Sequence, residues 1–156
     1  RQLRVASDDA DLAVVQVLGV QGRVSFVELA HEPPLPGDPV MGYPLGLKAL
    51  MARSDADFID RLRREGVVDF FEQAGRIAAA GFMKPLATRG IVGQVTSANV
   101  VYDAETTRGG SGGPVLSLDG RVVAVNTAIL PEFGGTNLGI PVARVRDLIE
   151  RASGGG

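Results

Sequence analysis

The stretch Thr107-Arg108-Gly109-Gly110-Ser111-Gly112-Gly113-Pro114, running straight into Val115-Leu116-Ser117-Leu118, decides how the rest of the chain is read. One serine stands among four glycines, and the run stops at a proline that opens an apolar strand. Glycine lacks a Cβ, so it reaches φ > 0 and lets another backbone segment come close. A serine in such a loop is lifted out of regular structure, and the N–H groups around it can converge on one point. An acyl-transfer nucleophile with an oxyanion hole needs that arrangement. A flexible Gly/Ser linker is the competing reading, but linkers have polar flanks. Here the loop leads into Val115–Leu118, then Asp119-Gly120, then Arg121-Val122-Val123-Ala124-Val125. Apolar runs on either side of Asp-Gly predict a β-hairpin, with a type I′ turn at the dipeptide.

Outward from the loop, the same period of two recurs. Ile91–Thr96, Val100–Tyr102, Val115–Leu118, Arg121–Ile129 and Thr136–Ile140 read as strands separated by Gly-rich turns, which predicts a sandwich or barrel. Upstream, Leu3–Ala6 and Leu12–Leu18 read as a strand pair joined through Ser7–Asp11, and Ser25–Ala30 as a further strand. Residues 31–39 carry four prolines and form an extended connector. Val40–Tyr43 resumes the strand pattern before Pro44–Gly46 turns out of it.

Between residues 54 and 82 the period changes to three and four: Phe58, Ile59, Leu62, Val67, Phe70, Phe71, Ala74, Ile77 and Ala78. Ser54 with Asp57 resembles a capping box, Gly66 and Gly75 weaken the helix so that one helix and two helices bent at Gly66 are equally open, and Gly81 ends the segment. Packing on the barrel surface and service as a lid or dimer contact are both open to this insertion. Pro141 suits a first helical turn and opens a last helix over Val142–Ala152.

The totals bound the function. The 156 residues suit one compact domain, with 45% hydrophobic and 22% charged residues. A net charge of −2 offers no basic field for nucleic acid or an anionic membrane, and no apolar run is long enough to span a bilayer. With no cysteine and one histidine, disulfides, thiolate zinc sites and histidine-rich metal sites are excluded; no cofactor is expected. The chain starts at Arg1 without methionine and ends Ser153-Gly154-Gly155-Gly156, which suggests a processed or trimmed piece with a linker or added tail.

The run from Asp103 to Pro114 resembles the nucleophile loop of trypsin-like serine proteases, especially the bacterial, disulfide-free HtrA type. The resemblance continues through Val125-Asn126-Thr127-Ala128-Ile129 and Gly139-Ile140-Pro141, and reaches back to Asp11–Val15 and Gly42–Gly46. It implies a mainly β chain with the second six-stranded barrel of that fold, the last strand pair of the first barrel, a helical insertion and a C-terminal helix. The divisions would be residues 1–30 for the first-barrel remnant, 31–39 for the connector, 40–152 for the barrel and 153–156 for the tail. It also implies a polypeptide substrate and an extracytoplasmic location, periplasmic or secreted.

By that resemblance Ser111 is the nucleophile, and the N–H groups of Gly109 and Ser111 form the oxyanion hole. Asp11 matches the carboxylate that orients the general base. The crowding of Asp8, Asp9 and Asp11 also fits a solvated turn. Glu105, six residues before Ser111, falls by the resemblance at the floor of the specificity pocket, where a carboxylate would favour a basic residue. It also fits a solvated loop, and HtrA-type kin generally prefer small aliphatic residues. By the same resemblance Asn126-Thr127-Ala128 falls at the edge that pairs with substrate. Gly110 replaces the Asp or Asn common before the nucleophile, so a switch built on that side chain is not available. In the family the base histidine precedes the aspartate by a few dozen residues, whereas His31, the sole histidine, follows Asp11 in the connector. The chain therefore reads as the C-terminal part of a serine endopeptidase whose histidine lies elsewhere, inactive alone and paired with a missing N-terminal segment or another chain. A protease fold kept for peptide binding is the alternative, and a Ser–Lys hydrolase using Lys48 or Lys84 a remoter one.

Overall fold

The structure is a computed structural model that describes residues 2–43, 56–83, 86–106, 109–130 and 136–154. It opens with an antiparallel pair, β1 (Gln2–Ala6) and β2 (Ala13–Gln16), joined by the turn that carries Asp8, Asp9 and Asp11. Six further strands follow: β3 (Pro39–Gly42), β4 (Thr88–Val95), β5 (Val100–Tyr102), β6 (Pro114–Ser117), β7 (Val122–Leu130) and β8 (Thr136–Pro141). They close into an antiparallel barrel in the order β3-β4-β5-β8-β7-β6. Closure leaves no unpaired sheet edge. The barrel is filled by Val40, Val92, Val100, Tyr102, Val115 and Val123, with Ala104 and Ala124 between them. β-branched side chains suit a pleated surface, and the alanines let the narrow interior close.

The β6–β7 hairpin forms as its alternation predicts, but its turn differs. Ser117 N–H donates to Arg121 O (2.9 Å) and Gly120 N–H to Ser117 O (2.9 Å), which brackets a three-residue loop. Only Gly120 has positive φ (83°). A type I′ turn would require it at Asp119 too, so this is a type I turn closed by a left-handed glycine. The strand expected over Ser25–Ala30 is absent. Only Leu29 bridges, in parallel, to Val122, while Phe26 is 83% exposed. Beyond that bridge its alternation meets no partner strand among the described residues.

The insertion consists of two helices, α1 (Ala56–Arg64) and α2 (Phe70–Ala79). Each ends in the same way. Gly66 at φ 76° lets Val67 N–H reach back to Leu62 O, and Gly81 at φ 75° lets Phe82 N–H reach Ile77 O. These are Schellman caps, whose characteristic hydrophobic contact joins the residue after the glycine to one in the last turn. Here those contacts supply a small core of Leu62, Val67 and Ile77, flanked by Phe58, Phe82 and Met83. Asp69 caps α2 by accepting from Glu72 N–H (2.8 Å). Phe70 and Phe71, counted on the apolar face by periodicity, are instead 56% and 80% exposed. The cap expected at Ser54 lies outside the described residues.

The last helix, α3 (Val142–Gly154), runs two residues past the predicted Ala152 and buries Val142 and Leu148. It packs against β1, β2, β7 and β8 and so ties the N-terminal pair to the barrel. No helix among the described residues is long and apolar enough to cross a membrane.

Candidate active site

The serine loop is pinned to β7 by an exchanged pair of backbone bonds. Gly112 N–H donates to Asn126 O (2.8 Å) and Asn126 N–H to Gly113 O (2.9 Å). A third bond, Gly113 N–H to Gly110 O (3.0 Å), tightens the loop on itself. Gly109 and Gly112 sit at φ 89° and 86°, conformations that cost an L-residue about 1–2 kcal/mol. Ser111 is exposed between them, its hydroxyl donating to Thr127 O at 2.9 Å.

Thr127 occupies a bulge. Along β7, Asn126 faces Gly139 and Ala128 faces Leu138 on β8, which leaves Thr127 without a ladder partner. A bulge re-aims the side chain it carries. The Thr127 hydroxyl donates to Asp11 Oδ2 at 3.1 Å, while its carbonyl holds Ser111. Ser111 and Asp11, 100 residues apart in sequence, are thus brought to the same threonine.

The carboxylate turn is itself tied down. Ser7 donates through Oγ to Asp9 Oδ1 (2.7 Å), and Arg144 on α3 donates to Asp9 Oδ2 (2.7 Å) and to Asp9 O (3.3 Å). The Ser7 hydroxyl and then the Arg144 guanidinium hold the Asp9 carboxyl below its ordinary 3.8. A depressed carboxyl favours the folded turn above that value, and the advantage fades as pH falls through the folded pKa.

The remaining sites expected from sequence fall around this centre. Glu105 is exposed, and its carbonyl accepts from the Thr88 hydroxyl (2.7 Å), which also approaches Gly42 O (3.2 Å). Ala128 is exposed beside Thr127. Asn126 faces inward: both its backbone groups are taken by Gly112 and Gly113, and its side chain is 6% exposed. Its Oδ1 accepts from Tyr102 OH (2.6 Å), and its Nδ2 donates to Thr106 Oγ1 (3.2 Å). Asn137, 1% exposed, donates to Ala104 O (2.6 Å). Burial pushes the Tyr102 phenol well above its ordinary value, so it stays a neutral donor. These bonds brace residues 104–106 against β7 and β8. Sequence reading missed this network, although an asparagine in an otherwise apolar strand signals a buried amide that must find partners. Replacing Tyr102 with Phe strands Asn126 Oδ1 in the core, and a loss of about 1–3 kcal/mol is expected in urea unfolding.

His31 is exposed in the connector and lines a pocket of about 260 Å³ with Ser117, Asp119 and Arg121. That pocket lies beyond the far end of β6, roughly 13 Å of extended strand from the serine loop at 3.3 Å per residue. Among the described residues no hydrogen bond or ion pair brings His31 to Ser111. Lys48 and Lys84 lie outside the described residues.

Residues 1–125, out of 156, match the trypsin-like peptidase domain family. The chain belongs to that family. Among curated relatives of this trypsin-like peptidase domain, the periplasmic pH-dependent serine endoprotease DegQ of Escherichia coli K12 is 32% identical over 80 residues, 49% of this chain and 18% of the relative. A probable periplasmic serine endoprotease DegP-like protein of Bartonella henselae is 45% identical over 56 residues, 33% of this chain and 11% of the relative. The chain thus spans less than a fifth of the length of these relatives. Two solved structures share the fold. A serine endoprotease from Yersinia pestis superposes with TM-score 0.66 at 17% identity, over 96% of this chain and 43% of that one. An inactive mutant form of Rv3671c from Mycobacterium tuberculosis H37Rv superposes with TM-score 0.61 at 14% identity, over 99% and 65%.

Proposed function

We propose that this trypsin-like peptidase domain carries the nucleophile of a serine endopeptidase, with the general-base histidine supplied by polypeptide outside these 156 residues. The observation behind this reading is Thr127, which holds the Ser111 hydroxyl through its carbonyl and the Asp11 carboxylate through its hydroxyl. An imidazole entering beside them would bond Asp11 through one nitrogen and Ser111 Oγ through the other. The base takes the hydroxyl proton as Oγ bonds to the scissile carbonyl carbon, and the N–H groups of Gly109 and Ser111 receive the developing oxyanion. Collapse expels the amine with that proton and leaves an acyl-enzyme, which water then hydrolyses.

The substrate would be a polypeptide lying along Thr127 and Ala128, supported from beneath by Asn126. Val15, Val17, Leu18, Val24, Phe26 and Val27 are 48–83% exposed. This surface, within the expected remnant of residues 1–30, would receive the missing part of a first barrel, in cis or from another chain. A periplasmic or secreted setting would suit such an enzyme, and the periplasmic serine endoproteases among its relatives support it. Residues 54–82 would govern access or assembly: their apolar content needs a surface to cover, and Tyr43, the last residue described before them, donates through its N–H to Pro114 O beside the serine loop (3.2 Å).

The test is fluorophosphonate labelling read by intact mass, beside a Ser111→Ala control. The chain alone is expected to label negligibly; with a histidine-bearing first barrel supplied, one adduct is expected at Ser111. No adduct in either form, with peptide binding that survives Ser111→Ala, would overturn hydrolysis in favour of a peptide-binding module.

A further inference from the structure

The β1–β2 pair is a two-stranded sheet separate from the barrel, and such pairs are marginal unless something holds them. Yet Asp11, on its turn, must be fixed relative to Ser111 if it is to orient a base. We infer that Arg144 is a positioning residue that sets Asp11 by clamping the turn through Asp9; this rests on the serine-endopeptidase reading.

Three observations carry it. Arg144 grips Asp9 twice, at the carboxylate (2.7 Å) and at the main-chain carbonyl (3.3 Å), so its planar fork fixes orientation as well as distance. The other carboxylate oxygen of Asp9 is held by Ser7, whose N–H closes the turn onto Leu12 O (3.0 Å). The clamp therefore acts on the whole turn and not on one mobile side chain. Lastly, Arg144 sits in the first turn of α3, where the helix dipole disfavours a cation and no acidic residue offsets it. Local helix electrostatics do not account for an arginine there; Asp9 does. Buried Val142 and Leu148 on either side seat the helix that bears it.

The clamp is solvent-accessible, with side-chain exposures of 30% for Arg144 and 71% for Asp9, so its contribution to global stability is small. Its effect is on geometry. In Arg144→Gln the Ser7 and Leu12 amides are expected to exchange about two- to fivefold faster, at unchanged melting midpoint, with a weakened nuclear Overhauser contact between Thr127 and Asp11. Adding Asp9→Asn should bring little more, since the two groups act as one. In a catalytically complete protein kcat is expected to fall about three- to tenfold at unchanged KM, with partial recovery in Arg144→Lys. Unchanged exchange and an unchanged Thr127–Asp11 contact in Arg144→Gln would overturn the inference, as would a loss of kcat with an unmoved turn. Should the complete wild-type protein fail to acylate at Ser111, the endopeptidase reading falls on its own, and the exchange measurements still decide whether Arg144 sets Asp11.

Discussion

Ser111→Ala, in a protein complete enough to cleave peptides, is expected to lower kcat by about 10⁴- to 10⁶-fold while leaving KM near its original value. On the proposed reading the hydroxyl oxygen would supply the atom that forms the acyl bond, so no neighbouring group would replace it. What would survive is the transition-state stabilisation from the Gly109 and Ser111 amides and from substrate positioning, neither of which needs the side chain. The substitution should otherwise be mild. The side chain is exposed and, among the described residues, makes one hydrogen bond, to Thr127 O, so folding stability is expected to change by less than about 1 kcal/mol. Asp11→Asn gives a useful contrast: it keeps an oxygen that can accept from Thr127 but loses the charge that stabilises an imidazolium, and a loss of order 10⁴ in kcat is expected. Steady-state kinetics on a peptide substrate, with urea unfolding of each variant, would check both. Hydrolysis in Ser111→Ala within tenfold of wild type would sink the assignment of the nucleophile.

The parts of this molecule legible in the sequence are those specified by local repetition or by glycine. The barrel strands show as period-two runs because each inward valine must meet the same core. Gly66 and Gly81 mark helix ends because a left-handed residue is needed where the chain folds back. The Asp119-Gly120 dipeptide announces a hairpin, but the backbone of Asp119 stays at ordinary φ, and residue identity alone does not separate the two-residue turn from the three-residue one. Ser25–Ala30 has a strand's alternation but meets β7 only through the bridge from Leu29 to Val122, which no local pattern can report. The candidate site shows the same division. Ser111 stands out through its glycines, whereas Tyr102, Asn137 and Arg144 act on partners 24, 33 and 135 residues away. Such pairings are set by barrel closure and helix docking, and they leave no spacing to detect.

The second large effect expected concerns Gly113, whose φ is not positive and whose need for glycine is steric. A Cβ built there would lie 2.3 Å from Tyr43 O and 3.0 Å from Gly110 O, both backbone atoms that no rotamer change can move aside. Either the end of β3 withdraws or the serine loop does. Withdrawal of β3 breaks the Tyr43 N–H bond to Pro114 O; withdrawal of the loop breaks the Asn126 N–H bond to Gly113 O that registers it on β7. Gly112 is the complementary case. A Cβ there meets nothing within 4 Å, but its φ of 86° is unfavourable to L-residues, least so to Asn. Gly113→Ala is therefore expected to cost about 2–4 kcal/mol, Gly112→Ala about 1–2 kcal/mol, and Gly112→Asn less still. Urea unfolding followed by circular dichroism gives the order directly. Ser111 labelling in the complete protein should fall furthest in Gly113→Ala, because displacement of the loop also displaces the Gly109 and Ser111 amides. If Gly113→Ala proves as stable and as reactive as wild type, the close approach of Tyr43 does not hold the serine loop in place.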